Sequence, residues 1–173
     1  MQKALTKKST KGKVFYAGCF DPFTNGHLDV VKQALERFDN VIIGLGINNQ
    51  KTRYFDRAKM LAAIQEVLKQ NNIQDMVLCL AYDHYTGETV LDNGCECIIR
   101  GIKNKGEFDY ELALANYNRK HYNINTLFFL PSRPELEGVS STLARELFDA
   151  NDFDTLEKIV PKTIFKLLNS QRP

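Results

Sequence analysis

A chain of 173 residues is the size of a single domain and is long enough to bury a hydrophobic core. Its 43% hydrophobic and 25% charged residues are typical of a globular protein, and a net charge of only +2 argues against an extended nucleic-acid interface. No apolar run approaches the roughly 20 residues that a membrane-spanning helix needs. We therefore expect neither a nucleic-acid nor a membrane partner.

The first residues differ in composition from the rest of the chain. Residues 1–12 contain four lysines and no acidic residue, and they lack the apolar centre of a secretory signal. We expect a basic, flexible tail over residues 1–12 and one domain over residues 13–173.

The cysteines indicate a reducing compartment. Cys19, Cys79, Cys95 and Cys97 show no Cys-x-x-Cys spacing and no neighbouring histidine, so the sequence does not indicate a zinc site. The last three lie in strand-like runs, where a free cysteine behaves as a small apolar residue. We expect free thiols and a cytoplasmic location.

Apolar strands and amphipathic helices alternate along the chain. β-favouring apolar runs predict five strands, at residues 14–17, 41–47, 76–81, 95–99 and 126–130. Helical spacing predicts helices from Thr24 or Asn25, from Asp56, near residue 88, over 108–121 and over 143–148. A last amphipathic helix covers 156–167, with Pro161 near its middle or marking a break. This order predicts a single Rossmann-like α/β domain, with a five-stranded parallel sheet, helices on both faces and a C-terminal helical segment.

Unusual polar loops follow the predicted strands. They are residues 19–27, 48–51, 82–89, 100–103 and 131–142. Ligands of such folds bind beyond the carboxyl ends of the strands, near the point where the strand order reverses. The loops therefore predict one site at one edge of the sheet.

The first loop carries the most distinctive motif. Residues 18–27 read Gly-Cys-Phe-Asp-Pro-Phe-Thr-Asn-Gly-His and join the first strand to the first helix. A cap at Thr24 or Asn25 places His27 in the first helical turn. A helix start offers free backbone N–H groups and a partial positive charge, which suit a phosphate. Thr24 and His27 are three residues apart and project from the same side of the helix.

The other loops add cations and a second helix start. Lys51, Arg100 and Lys103 follow predicted strands, and Ser140 or Ser141 can cap the helix that begins near residue 143. No carboxylate pair indicates glycoside hydrolysis, and no Gly-x-Ser-x-Gly motif or Cys/His pair indicates a protein nucleophile. Cations and helix starts without a nucleophile suit direct transfer between bound phosphates, which depends on positioning and charge neutralisation.

The Thr-x-Gly-His form of residues 24–27 is similar to the motif of the nucleotidyltransferase superfamily, and longer stretches resemble the phosphopantetheine adenylyltransferase family. These stretches are residues 18–27, Ile-Arg-Gly-Ile-Lys at 99–103, Glu-Phe-Asp-Tyr-Glu-Leu at 107–112, Ala-Asn-Tyr-Asn at 115–118, Phe-Leu-Pro-Ser at 129–132 and Val-Ser-Ser-Thr-Leu at 139–143. The resemblance implies an enzyme of coenzyme A synthesis. Such an enzyme transfers the adenylyl group of ATP to 4′-phosphopantetheine and releases dephospho-coenzyme A and pyrophosphate.

The resemblance also implies roles for single residues. His27 would stabilise the charge that develops on the α-phosphate, with Lys51 and Arg100 as further catalytic residues. The residues expected to bind the acceptor are Cys19, Lys51, Thr89 and Arg100. The residues expected to bind ATP are Cys19, Phe20, His27, Gly101, Ile102, Lys103, Glu111, Leu136, Glu137, Gly138, Val139, Ser140, Ser141 and Thr142.

Further expectations concern ligands and assembly. Mg²⁺ is expected to bind with the ATP phosphates, without ligands from protein side chains. Dephospho-coenzyme A or coenzyme A would occupy the same site as a product or ligand. The family implies a homo-oligomer, specifically a homohexamer.

Three features depart from the family pattern. Cys19 stands where the family usually has Thr or Ser, so a weak donor with a larger sulfur replaces a hydroxyl. Lys103 stands where Arg is usual, which keeps the charge but loses the bidentate fork. The region 82–93 looks shortened, and Thr89 is the position assigned to the pantetheine side.

Alternative hypotheses use the same residues. A cytidylyltransferase or a nicotinate mononucleotide adenylyltransferase would share the Gly-His site, although residues 135–142 lack the arginine of the Arg-x-x-Gly-Ile-Ser-Thr-Thr pattern of the first group. A non-catalytic nucleotide-binding or coenzyme A-binding protein on the same scaffold is suggested by Cys19. The same thiol suggests an enzyme that is regulated by oxidation.

Overall fold

The computed structural model describes residues 12–47, 52–103 and 105–171. The strands are β1 Lys13–Gly18, β2 Asn40–Gly46, β3 Val77–Tyr82, β4 Cys97–Gly101 and β5 Asn125–Phe129. The helices are α1 Asn25–Leu35, α2 Arg57–Gln70, α3 Thr86–Asp92, α4 Lys105–Tyr122, α5 Ser141–Asp149, α6 Phe153–Ile159 and α7 Lys162–Asn169, with a 3₁₀ turn at Pro134–Leu136. The predicted basic tail, apart from Gly12, lies outside the described residues, and so does Lys51.

The five strands form one parallel sheet in the order β3-β2-β1-β4-β5. The chain first builds outwards from β1 to β3 and then crosses to the other side of β1 to add β4 and β5. The strand order therefore reverses between β1 and β4, which end at Gly18 and Gly101. The predicted Rossmann-like sheet is confirmed, and its reversal point lies directly at the Gly18 loop.

Helices cover both faces of the sheet, because alternate strand residues point to opposite sides. On one face, Tyr16 and Ile43 belong to the large core built with α1, α2 and the C-terminal helices. On the other face, Phe15 and Ile42 pack with Val90 of α3 and with residues near the end of α4. Among the described helices, none is both long and apolar enough to cross a membrane.

Capping side chains set the starts of the helices at the site edge. Thr24 caps α1 by accepting the N–H of His27, and Ser140 caps α5 by accepting the N–H of Leu143. The structure thus selects one residue from each pair that the sequence left open. Asp56 caps α2, as predicted.

The last predicted helix is two helices. Proline lacks an N–H and disfavours a helical conformation of the residue before it. Val160 is accordingly extended, and α7 begins only after Pro161. Pro161 therefore marks a break and does not lie inside a continuous helix. Leu156 of α6 and Ile164 of α7 are both fully buried in the large core.

Candidate active site

A large cleft opens at the carboxyl ends of β1 and β4, where the strand order reverses. Ten of the residues expected from the sequence line it, namely Cys19, Phe20, His27, Arg100, Gly101, Lys103, Glu111, Ser140, Ser141 and Thr142. A smaller cavity adjoins the cleft and is lined by Ile102, Leu136 and Val139, together with Gly101 and Lys103. The structure therefore brings together segments of the chain that are more than 120 residues apart.

Three expected residues within the described part of the chain line neither the cleft nor the smaller cavity. Thr89 is buried within α3, and its hydroxyl donates to the carbonyl of Tyr85 at 3.2 Å. Thr86, one turn earlier, lines the cleft. Glu137 and Gly138 lie on an exposed turn after the 3₁₀ segment, and Gly138 has a positive φ of 77°.

His27 is held by a reciprocal cap in the first turn of α1. Its backbone N–H donates to Thr24 Oγ1 at 3.4 Å, while its Nδ1 accepts from the Thr24 backbone N–H at 3.0 Å. A backbone N–H can only donate, so Nδ1 must be the unprotonated nitrogen of the neutral ring. The neutral ring therefore carries its proton on Nε2, which is the nitrogen left for a ligand.

Aromatic rings surround the imidazole and help to keep it neutral. The ring centroids of Phe20 and Phe23 lie 5.1 and 5.5 Å from that of His27. Burial among these rings, followed by the charges of Lys103 and Arg100, lowers the pKa of His27 well below its usual value of 6.5. Around neutral pH His27 is thus a hydrogen-bond donor without a charge.

Arg100 leaves the end of β4 and pairs with Glu111 on α4. Its Nε donates to Glu111 Oε2 at 2.7 Å, its Nη2 donates to Oε1, and its Nη1 donates to the Ala17 carbonyl. Burial alone would lower the pKa of Arg100, but the hydrogen bond and the charge of Glu111 outweigh burial and raise it. Arg100 is therefore a permanent cation with an orientation set by two neighbouring elements.

Asp21 joins the loop after β1 to the loop after β2. Its carboxylate accepts the backbone N–H groups of Tyr54 at 2.7 Å and Phe55 at 2.9 Å. Arg53 donates to the carbonyls of Cys19 and Phe55, both at 2.8 Å, and lies 4.0 Å from Asp21. Burial raises the pKa of Asp21, while the Phe55 hydrogen bond and the charge of Arg53 oppose this rise.

The start of α5 fastens to the same loop from the other side. Ser141 Oγ donates to the Pro22 carbonyl at 2.8 Å, and Arg145 donates to the Asp21 carbonyl at 2.6 Å. A Cβ on Gly26 would lie 3.3 Å from the Val139 carbonyl, so the absent side chain lets α1 approach this segment closely. The starts of α1 and α5 consequently face one cleft.

Four residues that were not among those expected from the sequence also line the cleft, namely Asp21, Arg53, Thr86 and Arg145. Arg145 had a usable signal, because it lies four residues after Ser141 and such residues share one side of a helix. Arg53 had a weaker one, since it is close in sequence to Lys51. Asp21 and Thr86 have roles that depend on tertiary contacts.

The two cavities differ in character. The smaller one is mostly apolar, and its one acidic side chain, Asp29, already accepts hydrogen bonds from Ser132 and Gln33. The large cleft combines the cations Arg53, Arg100, Lys103 and Arg145 with the two helix starts. It then continues as a groove between α4 and the sheet, past Leu114, Ala115, Asn118 and Thr126. A small apolar cavity therefore lies beside a large cationic cleft.

Two of the carboxylates in the cleft are committed to protein partners. Asp21 accepts two backbone N–H groups, and Glu111 pairs with Arg100. Within the described ranges, no group of three or more His, Cys, Asp and Glu side chains could hold a metal ion. Carboxylates that are already paired in this way fit a metal that is held by phosphate oxygens and water better than a metal in a cage of side chains.

Comparison with known proteins places the chain in a family. The cytidylyltransferase-like family profile matches residues 15–147. Phosphopantetheine adenylyltransferase from Bacteroides thetaiotaomicron is 39% identical over 139 residues, covering 80% of this chain and 89% of that protein. Its counterpart from Leuconostoc citreum is 31% identical over 156 residues, covering 90% of this chain and 96% of that protein.

Solved structures support the fold. A bifunctional NMN adenylyltransferase/ADP ribose pyrophosphatase from Francisella tularensis superimposes with a TM-score of 0.62 at 16% identity, covering 92% of this chain and 49% of that one. At this identity the likeness concerns the fold alone, and the chain spans about half of that larger protein. The sequence matches are what define the relationship, and they confirm the resemblance that the motifs indicated. The chain belongs to the cytidylyltransferase-like family and, within it, to the phosphopantetheine adenylyltransferases.

Proposed function

We propose that this chain transfers the adenylyl group of ATP to 4′-phosphopantetheine, giving dephospho-coenzyme A and pyrophosphate. The observation that carries the proposal is His27 at the capped start of α1, with Nδ1 occupied by Thr24 and Nε2 free to donate. That donor lies in a cleft with four cations and a second helix start. The relatives of this chain from Bacteroides thetaiotaomicron and Leuconostoc citreum are named phosphopantetheine adenylyltransferase, after this reaction.

The chemistry needs no protein nucleophile. A phosphate oxygen of the acceptor attacks the α-phosphorus of ATP in line, the bond to the β-phosphate oxygen breaks, and pyrophosphate leaves. Charge accumulates on the oxygens of the α-phosphate, where the Nε2–H of His27 donates a hydrogen bond. A neutral donor of fixed orientation suits this role, because no proton has to be moved by the protein.

Arg100 binds the phosphate of the acceptor in this proposal. Three of its five N–H groups are engaged by Glu111 and Ala17, and one on each Nη has no partner among the described residues and can donate to a ligand. Lys51, which lies outside the described residues, contributes a further cation from the loop after β2. Cys19 lies at the mouth of the cleft and contacts both substrates.

ATP binds in the large cleft. Its base lies against the wall formed by Gly101, Ile102 and the segment 136–139, and its phosphates extend towards Lys103 and the start of α5. Burial lowers the pKa of Lys103, which lines the cleft. The N–H groups near Ser140, Ser141 and Thr142 bind the phosphates, as helix starts do.

The pantetheine arm extends into the groove along α4. This groove has apolar walls at Leu114 and Ala115 and polar groups at Asn118, Thr126 and Thr86. The buried Thr126 Oγ1 has no hydrogen-bond partner within the described part of the chain, so an amide of the arm can pair with it. We assign the contact expected of Thr89 to Thr86, because Thr86 lines the cleft whereas Thr89 is buried inside α3. The Thr86 hydroxyl already lies 3.0 Å from the hydroxyl of Tyr82, so a ligand would share it with that side chain.

Three further features belong to the proposal. Mg²⁺ binds with the ATP phosphates and neutralises charge on the leaving pyrophosphate. The protein works in the cytoplasm, which suits its four free thiols. It assembles as a homohexamer, and the large apolar side chains that α4 exposes, including Phe108, Leu112 and Tyr117, favour self-association.

The test is pyrophosphate release with ATP, Mg²⁺ and 4′-phosphopantetheine. We expect release only when all three are present, with a loss of about 10²–10³-fold in kcat for His27→Ala, the effect of removing one donor to a developing oxyanion. His84→Ala, a change at an exposed histidine, is the matched control.

The same assay addresses the alternatives. A preference for CTP over ATP would contradict the proposal in favour of a cytidylyltransferase. Folded protein that binds ATP without releasing pyrophosphate would support the non-catalytic hypothesis, and Cys19→Thr should then restore turnover.

A further inference from the structure

We propose that Arg53 is a further phosphate-binding residue of the cleft, and that it holds the phosphate of 4′-phosphopantetheine together with Arg100. The inference rests on the proposed function and adds a substrate contact to it. It starts from the position of Arg53 beside the turn at Gly18, where β1 ends.

Backbone carbonyls from two loops orient the guanidinium of Arg53. Its Nη1 donates to the Cys19 carbonyl and its Nε donates to the Phe55 carbonyl, both at 2.8 Å, and its Nη2 lies 3.5 Å from the Phe20 carbonyl. A carbonyl carries no full charge, so these contacts fix the orientation of the group without cancelling its positive charge. An arginine that is oriented in advance loses less entropy when it binds a ligand.

Asp21 neutralises Arg53 only in part. Its Oδ1 lies 4.0 Å from Nη2 of Arg53, which is longer than a hydrogen bond, and its two oxygens accept the N–H groups of Tyr54 and Phe55. Burial lowers the pKa of Arg53 and the charge of Asp21 opposes this effect, but a guanidinium stays protonated in proteins. Arg53 is therefore a cation that still favours an anion beside it.

The donors that remain on Arg53 are available to the cleft. Arg53 lines the cleft, and 23% of its side chain is exposed. One N–H on each Nη has no partner within residues 12–47, 52–103 and 105–171. Two N–H groups on adjacent nitrogens can bind two oxygens of one phosphate, which is the usual way in which arginine binds this group.

Two arginines approach the turn at Gly18 from opposite neighbours of β1. Arg100, near the end of β4, donates to the Ala17 carbonyl, and Arg53, in the segment after β2, donates to the Cys19 carbonyl. The strand order places β2 and β4 on opposite sides of β1. Cations thus cover two carbonyls that would otherwise repel an anion at the turn. The thiol of Cys19 is only a weak donor, so the strong donors at this turn are the two arginines.

The acceptor phosphate fits Arg53 better than the triphosphate of ATP does. In the proposed function the triphosphate extends towards Lys103 and the start of α5, whereas Arg100 binds the acceptor phosphate. Arg53 and Arg100 bind carbonyls that are two residues apart. A phosphate monoester carries about −1.5 to −2 charges at pH 7, which two guanidinium groups can balance.

The test is Arg53→Gln, measured with 4′-phosphopantetheine and with pantetheine, which lacks the phosphate. We expect the calorimetric Kd for 4′-phosphopantetheine to rise about 10- to 100-fold, the loss typical of a hydrogen bond to a charged group, while the Kd values for pantetheine and ATP stay within about twofold. The matched control is Arg57→Gln. Arg57 donates to the Tyr82 carbonyl and to Asp83 and, in the part of the chain that the structure describes, does not line the cleft, so its loss should change none of these values.

A second variant keeps the test available if Arg53→Gln does not fold. Arg53→Lys retains the positive charge but loses the planar fork that binds carbonyls and phosphate together. Its Kd for 4′-phosphopantetheine should rise about three- to tenfold, less than for the glutamine variant, with an unchanged Kd for pantetheine. A graded loss that follows the charge and requires the phosphate would identify direct binding.

Three results would overturn the inference. Equal weakening of 4′-phosphopantetheine and pantetheine would mean that Arg53 only joins the loops after β1 and β2. A rise in the Kd for ATP alone would assign Arg53 to the nucleotide, and an unchanged Kd for 4′-phosphopantetheine would remove Arg53 from the phosphate site. Failure of the proposed function has a separate signature, because the wild type would then release no pyrophosphate. The comparison of the two acceptor ligands does not depend on turnover.

Discussion

Nδ1 of His27 has no place for a proton, because the N–H of Thr24 already points at it from 3.0 Å. Protonation would set two donors against each other inside a ring of aromatic side chains. This contact therefore links the orientation of the imidazole to its low pKa. It also links both to the stability of the folded protein.

Stability should fall in mild acid because of His27. The unfolded chain takes up this proton below pH 6.5, whereas the folded protein resists it until a lower pH, so protons favour unfolding in that interval. The free energy of unfolding should lose up to about 1.4 kcal/mol per pH unit between these two values. Urea titrations at pH 7.5, 6.5 and 5.5 measure the slope.

The control for this slope is His27→Gln, which lacks the titrating group. As the pH falls, the free energy of unfolding should decrease more for the wild type than for the variant. Parallel pH profiles for the two proteins would contradict the neutral state of His27.

Asp21→Asn should loosen the contact between the loops after β1 and β2. The amide keeps one acceptor for the N–H groups of Tyr54 and Phe55 and turns an NH₂ group towards the other. We expect a loss of about 1–3 kcal/mol in the free energy of unfolding, the usual cost of an unsatisfied buried donor. Chemical denaturation measures it, with Asp75→Asn as an exposed control, and equal losses in the two variants would refute the role of Asp21.

Cys19 should be the thiol that reacts first. It is exposed at the cleft, while burial raises the pKa of Cys79 to about 12 and of Cys95 and Cys97 to about 11. Since the thiolate is the reactive form, the buried thiols should react slowly. Mass spectrometry after iodoacetamide treatment should find one adduct, at Cys19, together with a loss of activity that ATP slows.

Cys19→Ser is the matched control for alkylation. The serine variant should keep its activity during the same treatment, because no other accessible thiol lies in the cleft among the described residues. Equal inactivation of the wild type and of Cys19→Ser would show that the loss arises elsewhere.

Leu112→Glu should weaken self-association. Leu112 is 39% exposed on α4, and a carboxylate that becomes buried in an apolar contact between subunits costs several kcal/mol. Size-exclusion chromatography with light scattering should show smaller species than for the wild type. Asn116→Glu adds the same charge to the same helix, and identical masses for all three proteins would exclude this face as the interface.

Much of the fold was predictable because its signals are local. The alternation of apolar strands and amphipathic helices depends on neighbouring residues, and so do the caps at Asp56 and in the Thr24 region. The Gly18 loop indicates a phosphate site by local signals as well, because the strand, the tight turn and the capped helix follow one another within a short stretch of sequence. The comparison with relatives confirmed the family that these motifs indicated.

Tertiary structure decided which partners the side chains have. The capping contacts of Thr24 lie within one turn, but the Arg100–Glu111 pair exists only because β4 and α4 pack at the reversal of the strand order. Asp21 likewise meets Tyr54 across 33 residues of sequence. Local periodicity also could not choose between Thr86 and Thr89, because both are on α3 and only packing against the sheet determines which one reaches the cleft. The sequence by itself determined the secondary-structure elements, the motif at residues 18–27 and the type of reaction. Packing alone decided which side chains pair, because residues distant in the chain interact only once the fold has brought them together.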